Sequence, residues 1–162
     1  MLGEIQNLRF LPFKTTLSLN NEHFQETSLL DELSLGALLD IAFYARGLGQ
    51  GATALLIALD ETAPYDNPNF NWFKQRFDRF VYIDRVIVAN AARGRGIARM
   101  LYQDLFAAAK EAGHSRIVCE VNLTPPNPAS DAFHAAMGFT AVGQAILYDG
   151  KKEVRYFEKI LA

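Results

Sequence analysis

Several things are scarce in this chain, and each scarcity removes a class of function. There is one cysteine, Cys119, so no internal disulfide can form. The run IVCEV around it alternates like a strand and points to a buried, inert thiol. The three histidines, His23, His114 and His134, lie far apart and show no metal-ligand spacing, so no metal is expected. The net charge is only −2 over 162 residues, which leaves no broad basic surface for nucleic acid. No apolar run reaches the ~20 residues that span a bilayer. The N-terminus lacks the charged and apolar regions of a secretion signal. The P-loop string G-x-x-x-x-G-K-[ST] is missing. The expectation is a soluble, cytoplasmic protein that meets neither nucleic acid nor membrane. Half of the residues are hydrophobic, enough for one core, so residues 1–162 read as a single domain.

What is present centres on Arg93-Gly94-Arg95-Gly96-Ile97-Ala98. Upstream, residues 80–89 (FVYIDRVIVA) read as a strand. Downstream, residues 96–112 read as an amphipathic helix with Ile97, Met100, Leu101, Leu105, Phe106 and Ala109 on one stripe, closed by Gly113. The first N–H groups of a helix lack intrahelical partners, and the helix dipole adds positive charge there. A strand, a Gly-rich turn and a helix therefore present unpaired amides to an anion such as phosphate. Arg93 and Arg95 add cationic charge at the mouth.

The rest of the chain supplies the frame. Residues 14–20 suit a first strand or an extended entry, and residues 21–33 a short helix capped by Asn20 or Asn21. The apolar stretches 38–48 and 52–60 meet at the glycine-dense 47–51, a hairpin signal. A turn-rich loop follows over 60–71, with one or two helical turns over 69–78. Residues 115–122 read as a strand and 131–137 as a short helix. Stretches 139–148 and 153–161 form a hairpin joined at Asp149-Gly150. The order predicts a mixed α/β (α+β) chain of antiparallel character with one central β-α-β unit.

The dinucleotide fingerprint G-x-G-x-x-G fits poorly, because its third glycine falls on Arg99. The pattern [R/Q]-x-x-G-x-[G/A] is matched by Arg93, Gly96 and Ala98, with Val88 five residues upstream. A second block, residues 127–139, has Asn127, Ser130, the pair Phe133 and His134, and then Gly138-Phe139. In these two blocks the chain resembles the GNAT superfamily of N-acetyltransferases, closely over about residues 80–160 and by architecture before that. The resemblance implies a GNAT-like, mostly antiparallel central sheet. Its two parallel strands, here 80–89 and 115–122, splay to leave a coenzyme A cleft. It implies acetyl-CoA as co-substrate, with the diphosphate at Arg93, Gly94, Arg95, Gly96, Ile97 and Ala98. Main-chain contacts to pantetheine would come from Val86, Ile87 and Val88. Asn122, Asn127, Ser130, Phe133 and His134 would make further contacts, with helix capping as the alternative for Asn127.

Acetyl transfer to an amine has definite needs. An alkyl amine of pKa ~10.4 is neutral in only about 1 molecule in 2,500 at pH 7, so a base or a water chain must take its proton. The oxyanion needs a donor, and the thiolate leaves more easily if protonated. Asp84 and Glu120, on the two central strands, are the candidate bases, with structural ion pairing as the alternative for each. His134 stands where most relatives carry the tyrosine that protonates the leaving sulfur. Donation by His134 predicts that His134→Phe lowers turnover and His134→Tyr largely preserves it. For the acceptor, Tyr65, Asp66 and Trp72 lie on the 60–73 loop, and Tyr82 shares strand parity with Asp84. Asp66 would hold a cationic amine and Trp72 would offer it a ring face; the alternative is a hydrophobic cluster beneath the loop. The leading expectation is acetyl transfer by direct attack of a small-molecule or protein primary amine in a ternary complex. An acyl-CoA sensor of the same fold without turnover, and a simple phosphate binder, are the alternatives. The C-terminal hairpin offers edges for a homodimer.

Overall fold

The structure is a computed structural model that describes residues 3–23 and 27–162. Its elements, in order, are β1 (Gln6–Asn7), α1 (Phe13–Glu22), α2 (Glu32–Ile41), β2 (Tyr44–Leu48), β3 (Ala54–Asp60), α3 (Pro68–Lys74), β4 (Val81–Val88), α4 (Ile97–Glu111), β5 (Arg116–Asn122), α5 (Pro128–Ala136), β6 (Thr140–Leu147) and β7 (Lys152–Ile160). The seven strands form one sheet in the order β1-β2-β3-β4-β5-β7-β6. Every neighbouring pair is antiparallel except β4 and β5. The expected mixed, mostly antiparallel sheet is what forms.

Local chemistry explains several boundaries. Asp31 and Ser34 cap α2 reciprocally, side chain to backbone in both directions. Asn67-Pro68 opens α3 and Asn127-Pro128 opens α5, each with the Asn oxygen accepting backbone N–H and the proline in the first turn. Gly96 opens α4 with φ +73° and no side-chain cap, and Gly94 before it has φ +81°. A Cβ on either would meet no atom within 4 Å, so the left-handed backbone rather than crowding requires glycine at both positions.

The start of the chain departs from expectation. Residues 14–20 lie inside α1, not in a strand. Thr16, Leu19 and Asn20 are its buried positions, a spacing of three and four that only a helix satisfies. Asn20 and Asn21 are therefore late residues of α1, not caps, and the second helix begins only after Asp31. Residues 24–26 of the stretch expected to hold a helix lie outside the described residues. The apolar stretch 38–48 divides at Ala42: residues 38–41 finish α2, and β2 starts at Tyr44. An unbroken apolar run gives no period with which to separate buried helix from buried strand.

The sheet buries both faces. One carries α4 and α5, with Ile97, Leu101, Leu105, Ala109 and Met137 in the core. The other carries α1, α2 and α3, with Leu19, Leu35, Leu39, Phe70 and Phe73. Strand β4 is shared, and it contains an irregularity. Its register with β3 passes from Ile57↔Arg85 to Ala58↔Ile83, leaving Asp84 with no opposite residue. This bulge switches the alternation: Phe80 and Tyr82 face the α1–α3 side before it, and Ile87 does so after it. Beyond it β4 and β5 part. Their parallel pairing covers only Val81↔Ile117 and Tyr82↔Val118.

Candidate active site

The divergence of β4 and β5 leaves a cleft of about 600 Å³. On one side stand Val86, Ile87 and Val88 of β4; on the other, Asn127, Ser130, Phe133 and His134 of α5. Its floor is the turn into α4, with Arg93, Gly94, Gly96, Ile97 and Ala98. The first intrahelical bond of α4 runs from the Met100 N–H to the Gly96 carbonyl. The N–H groups of Ile97, Ala98 and Arg99 therefore precede the ladder, with no side chain capping them. Arg93 and Arg99 line the same cleft, and no acidic residue does among those described. Amides, dipole and guanidinium groups all favour an anion there. Arg95 is exposed beside this lining, not in it.

A second cavity of about 180 Å³ adjoins the first. It is lined by Asp84, Arg85, Glu120, Asn122 and Lys152, among others. Val86, Tyr102, Asn127, Ser130 and His134 line both cavities and so mark where they meet.

The two candidate bases differ in their surroundings. Asp84 has both oxygens engaged: Oδ1 accepts the Tyr65 hydroxyl at 2.6 Å and Oδ2 accepts Arg85 Nε at 2.8 Å. Arg85 is buried and also donates to Asn20 Oδ1 of α1 and Ser28 Oγ. Asp84 thus closes a structural network that ties β4 to α1. On Glu120, Oε1 accepts Tyr82 Oη at 2.8 Å and Asn69 Nδ2 at 3.1 Å. The Tyr156 hydroxyl donates to Asn69 Oδ1 and so fixes that amide's orientation. Glu120 Oε2 has no partner among the described residues and no solvent contact, although the residue as a whole keeps some surface. Burial pushes the Glu120 carboxyl up to about 7. The Tyr82 hydrogen bond opposes this and the nearby Asp84 charge adds to it.

His134 is buried at the junction. Its Nδ1 lies 2.8 Å from the Ser130 carbonyl oxygen, which can only accept, so Nδ1 carries a proton. Its Nε2 lies 2.8 Å from the Tyr102 hydroxyl. In the neutral ring that hydroxyl donates to Nε2. Burial pushes the His134 pKa down, opposed by the Ser130 carbonyl and the Asp131 charge. Burial pushes Tyr102 up, so its phenol stays protonated. Cys119 lines the smaller cavity, and burial likewise raises its thiol, which fits an inert residue.

The remaining acceptor candidates scatter. Tyr65 reaches the site through Asp84 and Tyr82 through Glu120, each by its hydroxyl. Asp66 is exposed and accepts Asn71 Nδ2. Trp72 stacks on Tyr156 at 4.2 Å, with the Arg76 guanidinium 3.8 Å over its ring. Neither Asp66 nor Trp72 lines either cavity. Asn122 lines the smaller one, and Asn127 both caps α5 and lines the cleft. Sequence reasoning missed Tyr102, Asn69, Arg99 and Lys152. The one visible signal was Tyr102, a hydroxyl among the apolar residues that α4 buries. At the end of the sheet where β3 finishes, Asp60, Glu61 and His114 bring possible metal-ligand atoms within 4.8 Å of one another, a grouping that linear spacing hides. Arg79 Nε lies 3.6 Å from Glu61 there.

Comparison with known proteins agrees with this geometry. The model of the acetyltransferase (GNAT) family matches residues 69–139. No curated protein sequence matches at a significant level. Among solved structures, the ribosomal-protein-alanine N-acetyltransferase of Brucella melitensis superposes with a TM-score of 0.70 at 20% identity, covering 98% of this chain and 99% of that one. The ribosomal-protein-S18-alanine N-acetyltransferase of Escherichia coli gives 0.69 at 14% identity, covering 98% and 94%. The yncA protein of Salmonella typhimurium, solved with its cofactor acetyl-CoA, gives 0.67 at 16% identity, covering 100% and 95%. Residues 69–139 thus match the acetyltransferase (GNAT) family model, and the whole chain has the fold of the GNAT N-acetyltransferases to which it is similar.

Proposed function

We propose that this protein transfers an acetyl group from acetyl-CoA to a primary amine by direct attack in a ternary complex. The observation that carries this reading is the meeting of the two cavities. The larger offers unpaired amides and arginines to a diphosphate; the smaller holds a buried carboxylate with one oxygen unpartnered among the described residues. Val86, Ile87 and Val88 would align the pantetheine arm along β4, bringing the thioester to the junction.

The chemistry then follows from the residues present. Glu120 Oε2 takes the proton of the incoming ammonium, and its pKa near 7 suits a base that must work at neutral pH. The amine attacks the thioester carbon, the C–N bond forms, and the C–S bond breaks with its electron pair going to sulfur. When His134 is protonated, its Nε2–H points at the Tyr102 oxygen and frees the phenolic O–H. The proton passes from His134 through Tyr102 to the thiolate. Tyr102 is therefore the carrier, and its proton is replaced from the protonated fraction of His134, which burial reduces and the Ser130 carbonyl and Asp131 charge support. The oxygens of Asp84 are already spent, which assigns it to holding β4 against α1.

Calorimetry with acetyl-CoA, coenzyme A and ATP, followed by thiol release across an amine panel, tests the reading. Coenzyme A binding that shifts the amide resonances of residues 94–98, together with amine-dependent thiol release, is expected. Equal affinity for ATP would overturn it. Binding of acetyl-CoA without turnover on any amine would leave a binding module.

A further inference from the structure

Among the described residues, the smaller cavity has four charged side chains, and they are not equivalent. Asp84 and Arg85 face each other at 2.8 Å, with side chains 4% and 5% exposed. Their other polar atoms are spent on Tyr65, Asn20 and Ser28. That pair is closed to a ligand. Glu120 and Lys152 are not. Glu120 Oε2 is buried without a partner, and Lys152 makes no ion pair among the described residues.

The register places these two groups on one face. Glu120 lies opposite Tyr156 and Asn122 opposite Val154; Lys152 follows two residues further along β7, with the same parity. Val154 and Tyr156 are buried on the α1–α3 side, so the Lys152 side chain leaves the strand toward that side too. The Lys152 charge lowers the Glu120 pKa, as expected for two groups sharing a cavity. The cavity, about 180 Å³, falls below the ~300–1,000 Å³ of drug-sized pockets. It is small, with an unsatisfied carboxylate in its wall and a cation at another part of it. A simple alkylamine, or a peptide α-amine flanked by an amide, would use only the carboxylate.

We infer that the acceptor is a small zwitterion, a free amino acid or close analogue, whose amine docks at Glu120 and whose carboxylate docks at Lys152. This rests on the amine-acetylating reading of the same site. The carboxylate takes no part in the bond changes; it orients the amine toward the thioester, and a charge-assisted hydrogen bond provides the discrimination.

The test compares free amino acids, the same amino acids as carboxamides, and alkylamines of matched size. Thiol release is measured with wild type and Lys152→Met, which keeps the apolar stem. Wild type should favour the acids over the amides by about tenfold or more in kcat/KM. Lys152→Met should lose that preference, falling about tenfold further on the acids than on the amides, which feel only the change at Glu120. Equal use of acids and amides by wild type, or an equal fall on every acceptor in the variant, overturns the inference. Calorimetry of the coenzyme A-loaded protein with the same compounds separates this inference from the function it rests on. Carboxylate- and Lys152-dependent binding without turnover supports the acceptor class and sinks the transfer reaction. Acids that neither bind nor react sink the acceptor class itself.

Discussion

Glu120→Gln should make the protein more stable and nearly inactive. The buried carboxyl has a pKa of about 7 in the folded protein against 4.5 as its ordinary value. A raised acid means that the folded state holds a proton which the unfolded chain releases. Stability from this group is thus fully present below pH 4.5 and declines as pH rises through 7. At 1.36 kcal/mol per pKa unit, the loss amounts to at most about 3 kcal/mol by pH 8. Gln keeps an oxygen for the Tyr82 and Asn69 donors and removes the ionisation. Urea unfolding at pH 5 and pH 8 should show wild type weakening across that interval, with the variant far flatter and the more stable of the two at pH 8. Acetyl transfer should fall on the order of 10²-fold or more, the usual contribution of a positioned base. The wild-type limb that rises with pH near 7 should vanish from the rate profile. A variant with wild-type turnover refutes the catalytic role. A variant as pH-sensitive in stability as wild type refutes the burial argument.

Other outcomes are equally definite. Tyr102→Phe should lower kcat by roughly 10²-fold while leaving the KM for acetyl-CoA unchanged, and should shrink the solvent isotope effect on kcat if two protons move together. His134→Phe should also lower turnover. His134→Tyr should not preserve it, contrary to the expectation from sequence, because the Tyr102 hydroxyl already stands 2.8 Å from Nε2 and blocks a longer side chain. Steady-state rates of His134→Tyr with and without Tyr102→Leu check this, and the double variant should recover activity. Gly96→Ala places a Cβ on a backbone of φ +73° and should cost about 1–2 kcal/mol in urea unfolding, with weaker acetyl-CoA binding by calorimetry.

Sequence determined what is local or periodic. The turn at residues 93–98 was legible because positive-φ glycines and unpaired helix amides are consequences of adjacent residues. The period of α4, the strand before it and the C-terminal hairpin were legible for the same reason. The chain start was misread because short alternation in residues 14–20 fits two periods, and only packing against the sheet chose the helix. Tertiary structure decided the roles of the carboxylates. Asp84 and Glu120 look alike along the chain, but a bulge and the Tyr65 and Arg85 contacts consume one, while burial leaves an oxygen of the other without a partner among the described residues. Tyr102 and His134 are 32 residues apart and meet only because β5 lies between their helices in sequence and returns the chain to the same face of the sheet. Charge state and partnership depend on what comes within a few ångströms after folding, and no single-chain pattern encodes that distance.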